Sequence, residues 1–391
     1  MKFLAIRCPV ESVTLRRERV RPLTRLTGVA NLSIAFVPDP LPPKWEWLGD
    51  LWPLLLEART ALASQDGTGK HLPNPELILR PLQNREAQKS SSLEGTYTDP
   101  EQQLLFGLDP KYPLSSDDPV NAHREIFNYA EALRLRRQIS EELPLSLRLI
   151  KNLHAVLMNG VRGSDRNPGE FRRMQNQVGW PARYVPPPVP EMQAALDDLE
   201  RYLHSEKRFD PLVEAFLVHY QFEAIHPFMD GNGRVGRLLL ALTICDWCGL
   251  SNQWLYMSDY FDRNKDDYID RTFAVSTDGS WSGWIAFCLR GVVEQARDTL
   301  LRCERLIELN RQFHEQVNNM GGSIRLSRIV DELFISPVAI VTHTASTLGV
   351  SYPTARSDLR KLERAGILRP IEQAPQISYI CSAILQITYA D

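Results

Sequence analysis

Apolar residues recur every three to four positions along most of this 391-residue chain, and the two-residue alternation of a half-buried strand is nearly absent before residue 310. That periodicity confines the main body to packed helices, because a helix hides its apolar stripe only against other elements of the same kind or a sheet. It runs through Leu51, Leu54, Leu55, Ala58 and Ala61, then Pro75 to Arg80, Val120 to Gln138, Leu145 to Leu157 and Val189 to Leu203. It continues through Pro211 to Phe222, Arg237 to Cys248 and Trp281 to Asn310. The expected fold is all-α. Its first clear helix runs from about Lys44 into the sixties, after the proline-rich lead Phe36-Val-Pro-Asp-Pro-Leu-Pro-Pro43, which holds the chain extended.

Charge excludes some partners. A net of -3 and a pI near 6.3 give no general attraction to nucleic acid or to an acidic membrane. Arg16, Arg17, Arg19, Arg21 and Arg25 crowd one short stretch of the N-terminal arm, which reads as a solvated strand or flexible arm before it reads as a nucleic-acid contact. The six cysteines are too scattered for a disulfide framework, and Cys245 and Cys248 read as helical neighbours rather than as a redox or zinc pair. With no secretory signal and no stretch approaching ~20 apolar residues, a cytoplasmic location is expected.

The chemistry concentrates in His226-Pro-Phe-Met-Asp-Gly-Asn-Gly-Arg-Val-Gly-Arg237, just where an apolar helix begins. A helix N-terminus offers unpaired N–H groups and partial positive charge, and glycines let a bulky anion reach that backbone. His226, with an ordinary pKa near ~6.5, is a base at neutral pH. Asp230 suits a divalent cation held against phosphates, and Arg234 and Arg237 suit their oxygens. A glycine-rich surface turn beside a satisfied histidine would need neither the two arginines nor the carboxylate. The combination reads as a phosphate cradle with a base at its mouth, built for phosphoryl or nucleotidyl transfer.

Two other stretches stand apart. Residues 160 to 188 mix turn signals with short extended pieces, including Asn167-Pro-Gly-Glu-Phe-Arg172 and Tyr184-Val-Pro-Pro-Pro188, and read as a hairpin or flap. After Met320-Gly-Gly322, the order helix, glycine turn at Gly349, helix from about Tyr352 to Glu363, and two short strands resembles a winged helix-turn-helix domain. Arg356, Arg360, Lys361 and Arg364 would face a DNA groove, but residues 323 to 391 carry seven basic against six acidic residues, which favours dimerisation or protein docking over DNA. The resulting domains are an arm at 1–43, a helical region at 44–135, a catalytic core at 136–319 and the winged unit at 320–391.

The pattern HxFxDGNGRxGR resembles that of the Fic (filamentation induced by cAMP) family, with every fixed position filled here. The resemblance runs from about Phe36 to Val292 and implies a Fic-type helical bundle with a β-hairpin flap. It implies a protein adenylyltransferase that moves AMP from ATP to a Tyr, Thr or Ser hydroxyl, with His226 as catalytic base and Mg²⁺ on Asp230. Related Doc-type kinases carry lysine where this chain has Gly233. By the same resemblance ATP contacts fall on Glu94, His226, Gly231, Asn232, Gly233, Arg234, Val235, Gly236 and Arg237, with Tyr260, Arg263 and a tyrosine near Tyr268 about the nucleoside. The target protein docks its backbone on flap 160–188. An inhibitory motif falls on Ser90, Glu94 and Gly95, with Glu94 paired to Arg237, so that Glu94→Gly releases activity by at least an order of magnitude. Removal of AMP from a protein, and a nucleotide-sensing DNA-binding regulator, stay open as rival functions, as does a homodimer.

Overall fold

The structure is a computed structural model that describes residues 20–22, 34–70, 74–139, 144–162, 167–179, 183–372, 374 and 376–390. Arg16, Arg17, Arg19 and Arg25 lie outside the described residues. Val20–Pro22 (β1) pairs antiparallel with Ile34–Phe36 (β2), in the register Val20 to Phe36.

The first helix, Trp52–Lys70 (α1), starts eight residues later than its periodicity predicts. Leu48 is extended (φ -82, ψ 136) and a 3-10 turn at Gly49–Leu51 leads in. The reason is tertiary: Trp45 packs its ring on Trp47 and Phe209 and donates its indole N–H to Ser282 Oγ at 2.9 Å, which fixes the lead as extended chain. Glu76–Leu93 (α2) is one helix through Pro81 and runs on past the Pro75 to Arg80 stretch that periodicity marks. Pro100–Leu108 (α3), absent from the periodic pattern, is announced by its cap: Asp99 accepts from the Gln102 N–H, and a proline follows.

Val120–Ile139 (α4), Leu147–Leu157 (α5) and Val189–Leu203 (α6) fall where the pattern places them. Pro211–Ile225 (α7) is capped by Asp210 and buried all round, as a helix apolar on every face should be. Asn232–Trp247 (α8) packs against it, and its first turns are the end of the glycine-rich motif. Ser258–Arg263 (α9) and Lys265–Asp278 (α10) precede Trp281–Asn319 (α11), a spine about 58 Å long at ~1.5 Å per residue that packs along α1.

The C-terminal elements follow in the order Ile324–Ile335 (α12), Val338–Ile340 (β3), Val341–Leu348 (α13), Tyr352–Arg364 (α14), Arg369–Pro370 (β4), Ser378–Ile380 (β5) and Ser382–Tyr389 (α15). The strands form an antiparallel sheet in the order β3-β5-β4, with Val338 opposite Ile380. Gly349, at φ +64, makes the turn between α13 and α14. Helices α12 and α15 lie against α2, and the apolar core of α2 (Ile78, Leu79, Leu82) continues into Ile329, Val330 and Leu333 of α12. Arg302 of α11 donates to the carbonyls of Ile387 and Ala390, satisfying the end of α15. Among the described residues no helix is long and apolar enough to cross a membrane.

Candidate active site

α7 ends on His226 in the left-handed conformation (φ 49, ψ 61), a backbone state that a branched or bulky residue rarely adopts. The strain is held from outside. Arg172 donates from Nε to the His226 carbonyl at 3.1 Å and from its backbone N–H to Pro227 O at 2.8 Å. Asn176 donates to Phe228 O at 2.8 Å. Asn232 closes the turn from the other side: its Oδ1 accepts from the Phe228 N–H and its Nδ2 donates to Phe228 O, both at 2.8 Å. The turn then enters α8 through Gly231 at φ +75.

His226 Nδ1 lies 3.3 Å from the Glu223 carbonyl, so Nδ1 carries the proton and Nε2 keeps its lone pair. Burial holds this imidazole well below its ordinary range, at about 4, against the opposing pull of the Glu223 carbonyl and Glu94. The ordinary value of ~6.5 used for the sequence is therefore corrected. The base is neutral at pH 7, and weaker. Asp230 accepts from the Gly231 N–H at 2.7 Å, and its carbonyl is pinned by His154 Nε2 at 3.2 Å. His154 itself stacks on Phe228 and accepts from the Gly169 N–H at 2.8 Å, which ties the flap segment to the cradle.

Arg237 is buried and faces the C-terminal end of α2. Its Nε donates to Ser90 Oγ at 2.8 Å, and its Nη2 donates to Ser90 O at 2.9 Å and to Glu94 Oε1 at 2.8 Å. Partial desolvation opposes ionisation of Glu94, whose side chain is 40% exposed, and the Arg237 charge outweighs it and lowers the pKa. Gly233 makes room for this pair: a Cβ there would stand 2.3 Å from Glu94 Oε1 and 2.9 Å from Arg237 Nη1. Gly236 is held likewise, since a Cβ would meet Glu223 Oε1 at 2.2 Å. Val235 packs its side chain into the core. Gly95, at φ +83, turns the chain out of α2. α2 is itself anchored by buried Glu86, which accepts from Ser258 Oγ and from Tyr129 OH, and which burial raises to about 7.

The flap is paired at one antiparallel bridge, Val178 with Tyr184, among the described residues, rather than as a full hairpin. Pro186 to Pro188 have no N–H to donate; Gln175 donates to Pro186 O, Arg172 to Pro187 O, and the backbone N–H of Met192 to Pro188 O at 2.7 Å. Tyr184 OH donates to Ala224 O at 2.7 Å, at the end of α7.

The model of the Fic/DOC family matches residues 144–244, and the model of the Fic/DOC family N-terminal region matches 52–136. The chain carries a Fic/DOC domain. Similar relatives include the protein adenylyltransferase Fic of Drosophila erecta, 33% identical over 124 residues that make up 31% of this chain and 24% of the relative. That of Drosophila melanogaster is 32% identical with the same coverage. The chain thus matches about a quarter of the length of these curated relatives. Among solved structures, a Fic family protein from Desulfovibrio desulfuricans superposes with a TM-score of 0.57 at 20% identity, over 87% of this chain and 98% of that one. Fic-1 of C. elegans does so with 0.52 at 18%, over 64% and 73%. These likenesses establish the fold.

Most of the expected residues meet at the start of α8, and Tyr260 and Arg263, on and at the end of α9, engage other partners. Tyr260 packs its ring in the core on Phe287 and against Gly291, and Arg263 is ion-paired with Asp259 and Glu294. Tyr268 takes the nearer place: its OH meets His219 Nε2 at 3.0 Å, and His219 Nδ1 donates to Gly236 O. Sequence reasoning missed Glu125, Glu223, His154, His219 and Asn176. Glu223 and His219 occupy the face of α7 that meets α8, one helical turn and two before His226, so spacing from the base is the signal that could have found them.

Proposed function

We propose that this protein transfers AMP from ATP to a Tyr, Thr or Ser hydroxyl of a target protein, with Glu94 holding the activity down. The carrying observation is the convergence on the start of α8: a neutral His226 on one side and Arg237, held by Ser90 and Glu94, on the other. In this reading His226 Nε2 takes the hydroxyl proton as the oxygen attacks the α-phosphorus. The new P–O bond forms as the bond to the leaving pyrophosphate breaks, and the N–H groups of the first turn of α8 with Arg234 stabilise the charge on the transferring group. Asp230, a single half-exposed carboxylate, is a donor set that fits Mg²⁺, an ion commonly held by one or two carboxylates together with substrate phosphates. When bound, that ion neutralises charge on the α- and β-phosphates.

Glu94 inhibits in this reading because it occupies one arm of the Arg237 fork, which a γ-phosphate would otherwise take, so that ATP binds with its α-phosphate out of line. Flap 160–188 would offer the target backbone its edge. A second reading has one observation in its favour: Glu94 lies within the electrostatic reach of His226 as well as Arg237, where a carboxylate could orient water for AMP removal. Incubation of wild type and Glu94→Gly with α-labelled ATP and cell lysate separates the two. Label on the Glu94→Gly sample alone supports inhibited transfer, whereas loss of label from pre-modified protein with wild type supports removal.

The order of elements in 320–390 supports a winged helix-turn-helix unit with α14 as its reading helix. Lys361 is already bound to buried Asp358, which favours docking over phosphate contact. Retardation of duplex DNA by the full chain at low salt would reverse that preference.

A further inference from the structure

Glu125 is a buried carboxylate of this site that neither base, metal nor brake explains. It sits on α4 with its side chain 2% exposed, and three donors converge on it. Arg234 Nη1 lies 3.2 Å from Oε2, Thr96 Oγ1 donates to Oε2 at 2.9 Å, and Arg162 Nε lies 2.7 Å from Oε1. Arg162 also donates from Nη2 to Thr96 Oγ1 at 3.0 Å and from its backbone N–H to Asn121 Oδ1 at 2.8 Å. The arrangement joins α4, the start of the flap segment, the residue directly after Gly95, and the first turn of α8.

A carboxylate taken out of water is costly unless charged donors surround it, and one missing partner leaves the rest uncompensated. Here two guanidinium groups share one carboxylate, which leaves one net positive charge beside the cradle. Arg234 is 6% exposed; Asp230 Oδ1 lies 3.8 Å from it, and Glu94 is within its electrostatic reach. With Glu125 in place, Arg234 Nη1 is held by a charge-assisted bond, which restricts the directions open to the remaining N–H groups. Without it, the buried guanidinium of Arg234 loses its nearest counter-charge and is free to turn onto Asp230, out of the direction that Glu125 sets.

We propose that Glu125 is a positioning residue: it aims Arg234 at the transferring phosphate, and Arg162 and Thr96 hold it in place. This rests on the AMP-transfer reading above. It also links the inhibitory turn to both motif arginines, directly from Glu94 to Arg237 and through Thr96 and Glu125 to Arg234. Because the ATP-binding contacts of Arg237 and the α8 backbone are untouched, Glu125 acts on the rate of transfer more than on affinity.

The test compares Glu125→Gln and Glu125→Asp in a Glu94→Gly background, with α-labelled ATP, and follows the Arg234 Nε–Hε resonance by NMR. The expected result is a fall in kcat of about 10–100-fold for Glu125→Gln with KM for ATP within about threefold, since a displacement near 1 Å can reduce rate that far. Glu125→Asp, which keeps the charge, recovers most of the loss, and the Arg234 resonance in Glu125→Gln broadens or shifts. A kcat within twofold of the parent overturns the proposal. So does a joint loss of kcat, ATP affinity and melting temperature that aspartate does not rescue, which is the mark of a purely structural role. If the Glu94→Gly parent transfers no label at all, the AMP-transfer reading fails, and an Arg234 resonance unmoved by Glu125→Gln overturns the positioning claim as well.

Discussion

Glu94→Gly separates what the brake does from what holds α2 in place. Arg237 makes three bonds to that helix, and only one of them goes to Glu94; the other two go to Ser90. A charge-assisted hydrogen bond contributes about 1.5–3 kcal/mol. The Glu94 side chain is 40% exposed, so solvent screening leaves about 1–2 kcal/mol of that. An energy of about 1–2 kcal/mol changes the fraction of Arg237 available to phosphate by about 5–30-fold. The substitution should therefore raise AMP transfer by about 5–30-fold, which lowers the order-of-magnitude floor expected from the sequence because Ser90, Glu86 and the packing of α12 still seat α2. The assay is label incorporated per minute from α-labelled ATP into the protein itself and into lysate, at saturating ATP. Equal incorporation by wild type and Glu94→Gly would refute the reasoning, because it would mean that the Glu94 contact does not compete with nucleotide. A gain far beyond that range would show that the whole α2 contact, rather than one arm of the fork, had been lost.

His226→Ala should lower transfer by about 10²–10⁴-fold while calorimetric ATP binding changes little, and activity retained in that variant would remove histidine from the role of base. The pH profile follows from the burial of the same ring. Its folded pKa of about 4 lies below the ordinary value, so the base form is present from about pH 5 upward and is lost only as pH falls through about 4; an inflection of kcat/KM at pH 6.5 would contradict this. Gly236→Ala should destabilise the fold by about 1–3 kcal/mol by overpacking, because the added Cβ falls 2.2 Å from Glu223 Oε1 and 3.2 Å from the Phe222 ring. An unchanged urea midpoint would show that Glu223 moves aside freely.

Helices α4, α6 and α7 were readable because apolar period, caps and prolines act within a few residues of one another. The start of α1 was not, since the indole of Trp45 bonds Ser282, 237 positions away. The cradle was readable as residue types: base, carboxylate, glycines and arginines stand within twelve positions. Their working state was not. Burial brings His226 to about 4, and the Glu223 carbonyl selects its tautomer, two effects that depend on what surrounds the ring.

Pairings across the chain divide in the same way. The resemblance to Fic proteins implied Glu94 with Arg237, and the structure places their charged atoms 2.8 Å apart. Nothing local pointed to Glu125, which meets Arg234 from 109 positions away because α4 packs beside α8. Nor did spacing show that Tyr260 turns into the core while Tyr268 faces His219. By itself the sequence determined most of the helices and which chemistry collects at the start of α8, since periodicity and a contiguous motif are encoded in neighbouring residues. Only the tertiary structure decided the charge state of the base and the partners of the two arginines, because desolvation and ion pairing depend on distances in space that separation along the chain does not set.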